Sequence, residues 1–206
     1  MKVLLINGSP HEKGCTYTAL SLIAGELKAQ GIETEILHVG GQPVGGCIGC
    51  GGCRNGNGCV FGGVVNEAIE KAKTADAFVF GSPVHYASAA GNMASFMDRL
   101  AYAGGKYLAY KPAAVCCSAR RAGTTSTLDQ LVKYPQFFHM PLVNGSYWAM
   151  VHGSNPEQVL QDAEGCAVMQ ELGRNMAWLL HCIEAGKAAG IDHPQNPPRP
   201  MTNFIR

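Results

Sequence analysis

The sequence predicts an α/β fold, a doubly wound five-stranded parallel sheet with helices on both faces. Three observations carry this: apolar runs of strand length recur, stretches with apolar residues at helical spacing separate them, and Gly- or Pro-bearing turns mark the changes. The first run, Lys2 to Asn7 (KVLLIN), stops at Gly8-Ser9-Pro10 and reads as a buried strand feeding a turn. From Thr16 onward Leu20, Ile23, Ala24 and Leu27 mark one face of a helix that Gly31 ends. Glu33 to His38 (ETEILH) is the second strand. A helix carrying Val65, Ala68, Ile69 and Ala72 leads to the third, Ala77 to Ser82, and one with Met93, Phe96, Met97 and Leu100 follows it. Pro112 to Ser118 (PAAVCCS) and Pro141 to Ala149 supply the last two strands. Met169, Leu172, Met176, Leu179, Leu180 and Ile183 then define a helix that packs over the final strand. Beyond Gly190, four of the eleven prolines fall between His193 and Pro200. The expected organisation is one domain over 1–190, with a loop inserted at 40–63, and an extended arm over 191–206 of the kind that wraps a neighbouring subunit.

Composition narrows the partners. A chain of 206 residues supports one core, and a charged share of 15%, against about 25% in ordinary soluble domains, suggests a surface largely covered by another chain, so a homo-oligomer is expected. A formal charge of +1 offers no basic field for nucleic acid or anionic lipid. No apolar run approaches the ~18 residues of a membrane span, and Val3 to Ile6 is too short for a signal-peptide core of about 7–15 residues. The expected location is therefore the cytoplasm. In that reducing setting the nine cysteines read as metal ligands, redox groups or small core residues rather than disulfides.

In an open α/β sheet the ligand lies beyond the carboxyl ends of the strands, where strand order reverses, so the loops after the first, third and fourth strands should carry function. The first, Gly8 to Thr18, is small and hydroxyl-rich and runs into a helix N-terminus. Its backbone N–H groups and the helix dipole favour an anion such as phosphate, with Ser9, Thr16 and Thr18 as added donors; the alternative is simple helix capping. It has neither the Gly-Lys-Ser/Thr end of nucleotide hydrolases nor G-x-G-x-x-G. The second, Pro83-Val84-His85-Tyr86, holds an aromatic and an imidazole on a proline turn suited to the edge of a flat ring. The third, Ser118 to Gly123, brings Arg120 and Arg121, whose guanidinium beside the pyrimidine side of a flavin would stabilise the anion formed on reduction; for this loop and the second the alternative is a solvated loop.

Residues 40 to 63 contain eleven glycines, and ordering them costs on the order of 1–2 kcal/mol of backbone entropy each. Something other than apolar packing must organise this loop. Within it stand Cys47, Cys50, Cys53 and Cys59, with two, two and five residues between them. The compact C-x2-C-x2-C run suits one face of an iron–sulfur cubane with the fourth cysteine closing the other side; a redox-active thiol loop and a zinc site are the alternatives. Cys116, Cys117, Cys166 and Cys182 read as buried core residues. His38, His139, His152 and His181 form no ligand spacing and read as structural.

Gly8-Ser9-Pro10 through Cys15-Thr16, Ser82 through Tyr86, Ser118 through Gly123 and the four-cysteine loop together resemble the NAD(P)H-dependent FMN reductases of flavodoxin-like fold, and among them the iron-sulfur flavoproteins. The resemblance covers most of the chain. It implies FMN, with its phosphate on Ser9, His11, Gly14, Cys15, Thr16, Tyr17 and Thr18. It places the ring against Pro83, Val84, His85 and Tyr86 and against Ser118, Ala119, Arg120, Arg121 and Gly123. It implies a [4Fe-4S] cluster on Cys47, Cys50, Cys53 and Cys59 that passes electrons to FMN across a homotetramer interface, on behalf of a ferredoxin-type donor and toward a small-molecule acceptor. His11, Cys15 and Ala122 stand where the family usually has Arg, Asn and Gly, and Val60 to Val64 replaces an often acidic run. No side chain is required as a catalytic acid or base. The competing readings are a cluster-free NAD(P)H-dependent FMN or quinone reductase, and a flavodoxin-like binding or sensing module built on a zinc or thiol loop.

Overall fold

A computed structural model describes residues 1–198, Pro200 and Thr202; of the expected arm, Arg199, Met201 and 203–206 lie outside the described residues. The chain runs β1 (Lys2–Asn7), α1 (Cys15–Ala29), β2 (Glu33–His38), α2 (Val64–Thr74), β3 (Ala77–His85), β4 (Ser88–Ala89), α3 (Gly91–Gly104), β5 (Ala113–Ala119), α4 (Thr124–Phe137), β6 (Met150–His152), α5 (Pro156–Gln161) and α6 (Ala163–Ala188). Five strands lie parallel in the order β2-β1-β3-β5-β6. The two-residue β4 folds back antiparallel on β3. The path from β1 goes outward to β2 and then returns past β1 to β3. The strand order therefore reverses between β1 and β3, and their carboxyl ends form the crevice.

The period of two along β1 sorts its side chains between two cores. Val3 and Leu5 pack with Leu20, Ile23 and Leu27 of α1 and Met169, Leu172 and Met176 of α6. Leu4 and Ile6 face Val65 and Ile69 of α2 and Met93, Phe96 and Leu100 of α3. Burial on both faces explains why β1 and β3 read as unbroken apolar runs.

Three expectations are corrected. The fifth strand is not Pro141–Ala149: only a bridge between Ala113 and Leu142 survives there, and β6 occupies Met150–His152. The run Asn144-Gly145-Ser146 leaves the ladder, and Ser146 N–H donates to Glu171 Oε2 at 2.7 Å instead of to a strand. Strand β3 continues past Ser82 to His85 because β4 pairs with it. Cys182 is exposed and Cys166 half-buried, unlike Cys116 and Cys117, which are fully buried; burial pushes the Cys117 thiol up to about 12. Helix α4 goes beyond the sequence reading, since its inner face is Thr124, Thr127, Leu128, Leu131 and Pro135, a weak apolar signal.

No regular element follows α6 among the described residues. The start of the arm folds onto its own chain, with the His193 ring stacked on Tyr110 at 4.3 Å and Asn196 Nδ2 donating to Tyr110 Oη at 2.6 Å. No helix is long and apolar enough to cross a membrane among the described residues.

At the β1–β2 edge Glu35 accepts from Lys2 Nζ at 2.8 Å and Lys71 Nζ at 2.6 Å. Those bonds, Lys2 first, hold its carboxyl below the usual carboxylate range. A carboxyl easier to ionise folded than unfolded adds stability above its unfolded pKa of about 4.3 and loses it as pH falls through the lower folded value. Glu35→Gln is expected to cost about 0.2–1 kcal/mol at neutral pH and to flatten the acid side of a stability–pH profile from denaturant melts. An unchanged acid slope would count against the pairing.

Candidate functional site

The turn after β1 is built from its own side chains. Asn7, fully buried, accepts from Ser9 N–H through Oδ1 at 3.1 Å and donates through Nδ2 to Glu12 O at 2.9 Å. Ser9 Oγ accepts from His11 N–H at 3.1 Å. From the end of β2, His38 Nε2 lies 2.7 Å from Ser9 O, and since a carbonyl only accepts, Nε2 carries the proton. Gly40 then crosses so close to the turn that a Cβ there would sit 2.2 Å from Ser9 O. Asn7 and His38 were not among the expected site residues. An Asn closing an apolar strand, and a histidine at the end of the neighbouring strand, were the signals.

Helix α1 starts after Gly14 with no side-chain cap, which leaves its first N–H groups for an external partner. The hydroxyls are more committed than the sequence suggests. Thr18 Oγ1 donates to Gly14 O at 3.2 Å, and Thr16 Oγ1 and Ser118 Oγ are 2.8 Å apart, both buried. The Thr16–Ser118 bond ties α1 to β5 directly beneath the crevice. Thr16→Val strands the Ser118 hydroxyl and is expected to cost about 1–3 kcal/mol, whereas Thr16→Ser should recover most of it; paired urea melts decide. Cys15 Sγ approaches Gly153 O at 3.5 Å, past the end of β6, and burial pushes its thiol up.

The second and third loops form one wall. Between β3 and β4, Tyr86 and Ala87 both take left-handed backbone, with φ of 50° and 59°, as a tight two-residue hairpin turn demands. Neither is glycine, so the turn is strained and must be held from outside. Helix α4 holds it: Ser126 Oγ donates to Ala87 O at 2.7 Å, and Gln130 Oε1 accepts from Ser88 Oγ at 2.6 Å and from Ala89 N–H at 2.9 Å. Gly123, at φ 92°, packs so tightly that a Cβ would lie 2.6 Å from Ala87 Cα. Pro83 and Val84 are half-buried, His85 exposed, and the Tyr86 ring stands fully in solvent. Ala119 is buried, while Arg120 and Arg121 are exposed, without an ion pair among the described residues.

The glycine loop is not an open coil. Cys47, Cys50, Cys53 and Cys59 are all free thiols and line one cavity of about 150 Å³ with Arg99 and Tyr102. Asn66 clamps the loop at Cys59, accepting from its N–H at 2.8 Å and donating to its carbonyl at 3.0 Å. Asn92 accepts from Val44 N–H at 3.2 Å and donates to Gly40 O and Gln42 O. Arg99 of α3, almost fully buried, donates to Cys59 Sγ at 3.3 Å. Among the described residues no three His, Cys, Asp or Glu side chains are grouped so as to hold a metal ion; the four thiols share a cavity without converging. Arg99 was legible in principle, because it lies three residues after Phe96 on the buried face of an apolar helix.

The family model for NADPH-dependent FMN reductase matches residues 1–155. An iron-sulfur flavoprotein of Methanocaldococcus jannaschii is 28% identical over 192 residues, spanning 89% of this chain and 100% of that one. Another, from Archaeoglobus fulgidus, is 36% identical over 99 residues, 48% of each chain. Among solved structures, RosB with a bound intermediate aligns over 100% of this chain and 96% of its own with a TM-score of 0.69 at 14% identity, a likeness of fold. The matched span contains every strand of the sheet and all three loops at its carboxyl edge. The chain belongs to the NADPH-dependent FMN reductase family and is a flavin-dependent oxidoreductase of flavodoxin-like fold that uses FMN.

Proposed function

We propose that this oxidoreductase is an iron-sulfur flavoprotein, exchanging electrons between a [4Fe-4S] cluster on Cys47, Cys50, Cys53 and Cys59 and FMN for a ferredoxin-type donor and a small-molecule acceptor. The observation that carries it is the shared cavity: four unbridged thiols line one small space beside a buried guanidinium. Left-handed Gly49, Gly51, Gly56, Gly58 and Gly62 give the backbone the freedom to turn N–H groups toward sulfur. The donor set therefore fits the group. The names of the two iron-sulfur flavoprotein relatives support the same reading.

The FMN phosphate belongs at the uncapped start of α1, among Ser9, His11, Gly14, Cys15, Thr16, Tyr17 and Thr18, where N–H groups and the helix dipole favour an anion. The ring belongs between Pro83, Val84, His85 and Tyr86 and the Ser118-Ala119-Arg120-Arg121 run with Gly123. When bound, the cluster would supply one-electron transfer and FMN two-electron exchange with the acceptor. Arg120 or Arg121, without an ion partner among the described residues, stabilises negative charge at the pyrimidine side. Ile48, Val60, Phe61 and Tyr102 expose apolar surface around the cysteine loop, which supports a homo-oligomer that covers it. The domain spans 1–190 with 191–206 as its arm, and the unbridged cysteines suit the cytoplasm.

Anaerobic purification with iron, acid-labile sulfide and flavin measured per chain tests the reading. About four irons and four sulfides with one FMN are expected. One FMN with no iron, after attempted reconstitution, overturns it in favour of an NAD(P)H-dependent reductase, and one zinc per colourless chain in favour of a zinc module.

A further inference from the structure

Arg99 is 6% exposed, and its guanidinium spends its donors on the cysteine loop. Nε donates to Cys59 Sγ at 3.3 Å, Nη1 to Gly45 O at 3.4 Å and Nη2 to Gly62 O at 3.0 Å. The Phe61 ring lies 5.5 Å from its Cζ. Among the described residues no carboxylate pairs with it. The adjacent Asp98 carboxylate takes the Tyr134 hydroxyl instead, at 2.6 Å. A buried cation without a counter-charge is costly, and one cysteine sulfur and two carbonyls compensate it poorly. The same cation is well placed once the Cys59 sulfur beside it is a ligating thiolate, because a metal-bound cysteine is deprotonated.

We infer that Arg99 is the counter-ion and positioning residue of the four-cysteine loop. Its fork ties Gly45, ahead of the first cysteine, to Gly62, behind the last, so that one side chain spans the whole ligand segment. Its charge beside Cys59 Sγ favours the more negative, reduced form of whatever the sulfurs hold and so raises the reduction potential. This rests on the cluster proposed above, and the positioning half can be tested without it.

The experiment compares wild type, Arg99→Gln and Arg99→Lys. Hydrogen exchange of residues 45–62 is measured in metal-free protein, and iron retention and cluster midpoint potential in reconstituted protein. In Arg99→Gln, exchange over 45–62 should speed up at least threefold, iron should be lost faster, and the potential should shift downward. Arg99→Lys keeps the charge and loses the fork, so it should restore the potential while leaving exchange fast. Equal potentials in wild type and Arg99→Gln, or a potential in Arg99→Lys as low as in Arg99→Gln, overturn the counter-ion role. Unchanged exchange in Arg99→Gln overturns the positioning role. Wild-type protein that takes up no iron overturns the cluster reading and with it the counter-ion; exchange alone then decides whether Arg99 positions the loop.

Discussion

Gly40→Ala should cost the protein its FMN. A Cβ at this position would stand 2.2 Å from Ser9 O, 2.4 Å from Ser9 C and 2.6 Å from Gly8 O. Every one of those atoms is backbone, and the segment that contains them is fixed by the Asn7 amide and by His38. No flexible side chain can swing aside, so either the Ser9 turn shifts or the chain leaving β2 does. Overpacking of this kind typically costs about 1–3 kcal/mol, and a rigid backbone neighbour puts it at the upper end. Displacing the Ser9 turn also moves the first N–H groups of α1 relative to the phosphate they would hold. A loss of about 1.4 kcal/mol in binding is already tenfold in affinity, and at least that is expected. Flavin retained per chain and titration of apoprotein with FMN measure it. Gly45→Ala serves as control, since a Cβ there meets nothing within 4 Å. Equal FMN affinity in wild type and Gly40→Ala would show that the turn does not carry the phosphate.

The parts of this architecture that were legible in the sequence are those set by local pattern. Strand β1 ends where the apolar run does, at Asn7, because burial on both faces leaves no room for a polar residue within the run, and the edge strand β2, polar at Glu33 and Glu35, spans Glu33–His38 as read. The loops at the carboxyl edge followed from topology once the βα alternation was recognised. What the pattern could not carry was pairing between distant residues. The fifth strand failed because Ser146 finds the Glu171 carboxylate, 25 positions away, in preference to a ladder partner. The hydroxyls of Thr16 and Ser118 look like ligand donors in isolation, yet they meet across 102 positions and bond to each other. For Arg99 the helix pattern shows a charge on a buried face, and the distant loop that explains it is the part the pattern lacks. A charge on an apolar helix face reads as an exception until the cysteine loop is folded over it.

Cys50→Ala should abolish FMN reduction by a ferredoxin-type donor while leaving one FMN per chain. Cys50 is exposed and lies in the middle of the C-x2-C-x2-C run, so removing its sulfur empties no packed core site and should leave the thermal midpoint near that of wild type. It takes away the ligand flanked on both sides by another, and three thiolates leave one iron of a cubane without protein. Iron and acid-labile sulfide should therefore fall well below stoichiometry. The edge loops proposed to hold FMN share no hydrogen bond with Cys50 among the described residues, so flavin content is the internal check that the domain is intact. Cys182→Ala separates ligand loss from thiol loss in general: it removes an equally exposed thiol from α6, far along the chain from the loop, and should change neither iron nor reduction. The comparison also divides the two reductase readings. If electrons reach FMN through the loop, donor-driven reduction fails with the iron. If Cys50→Ala retains full donor-driven reduction, electrons enter at the exposed flavin edge, and the cysteine loop serves another purpose.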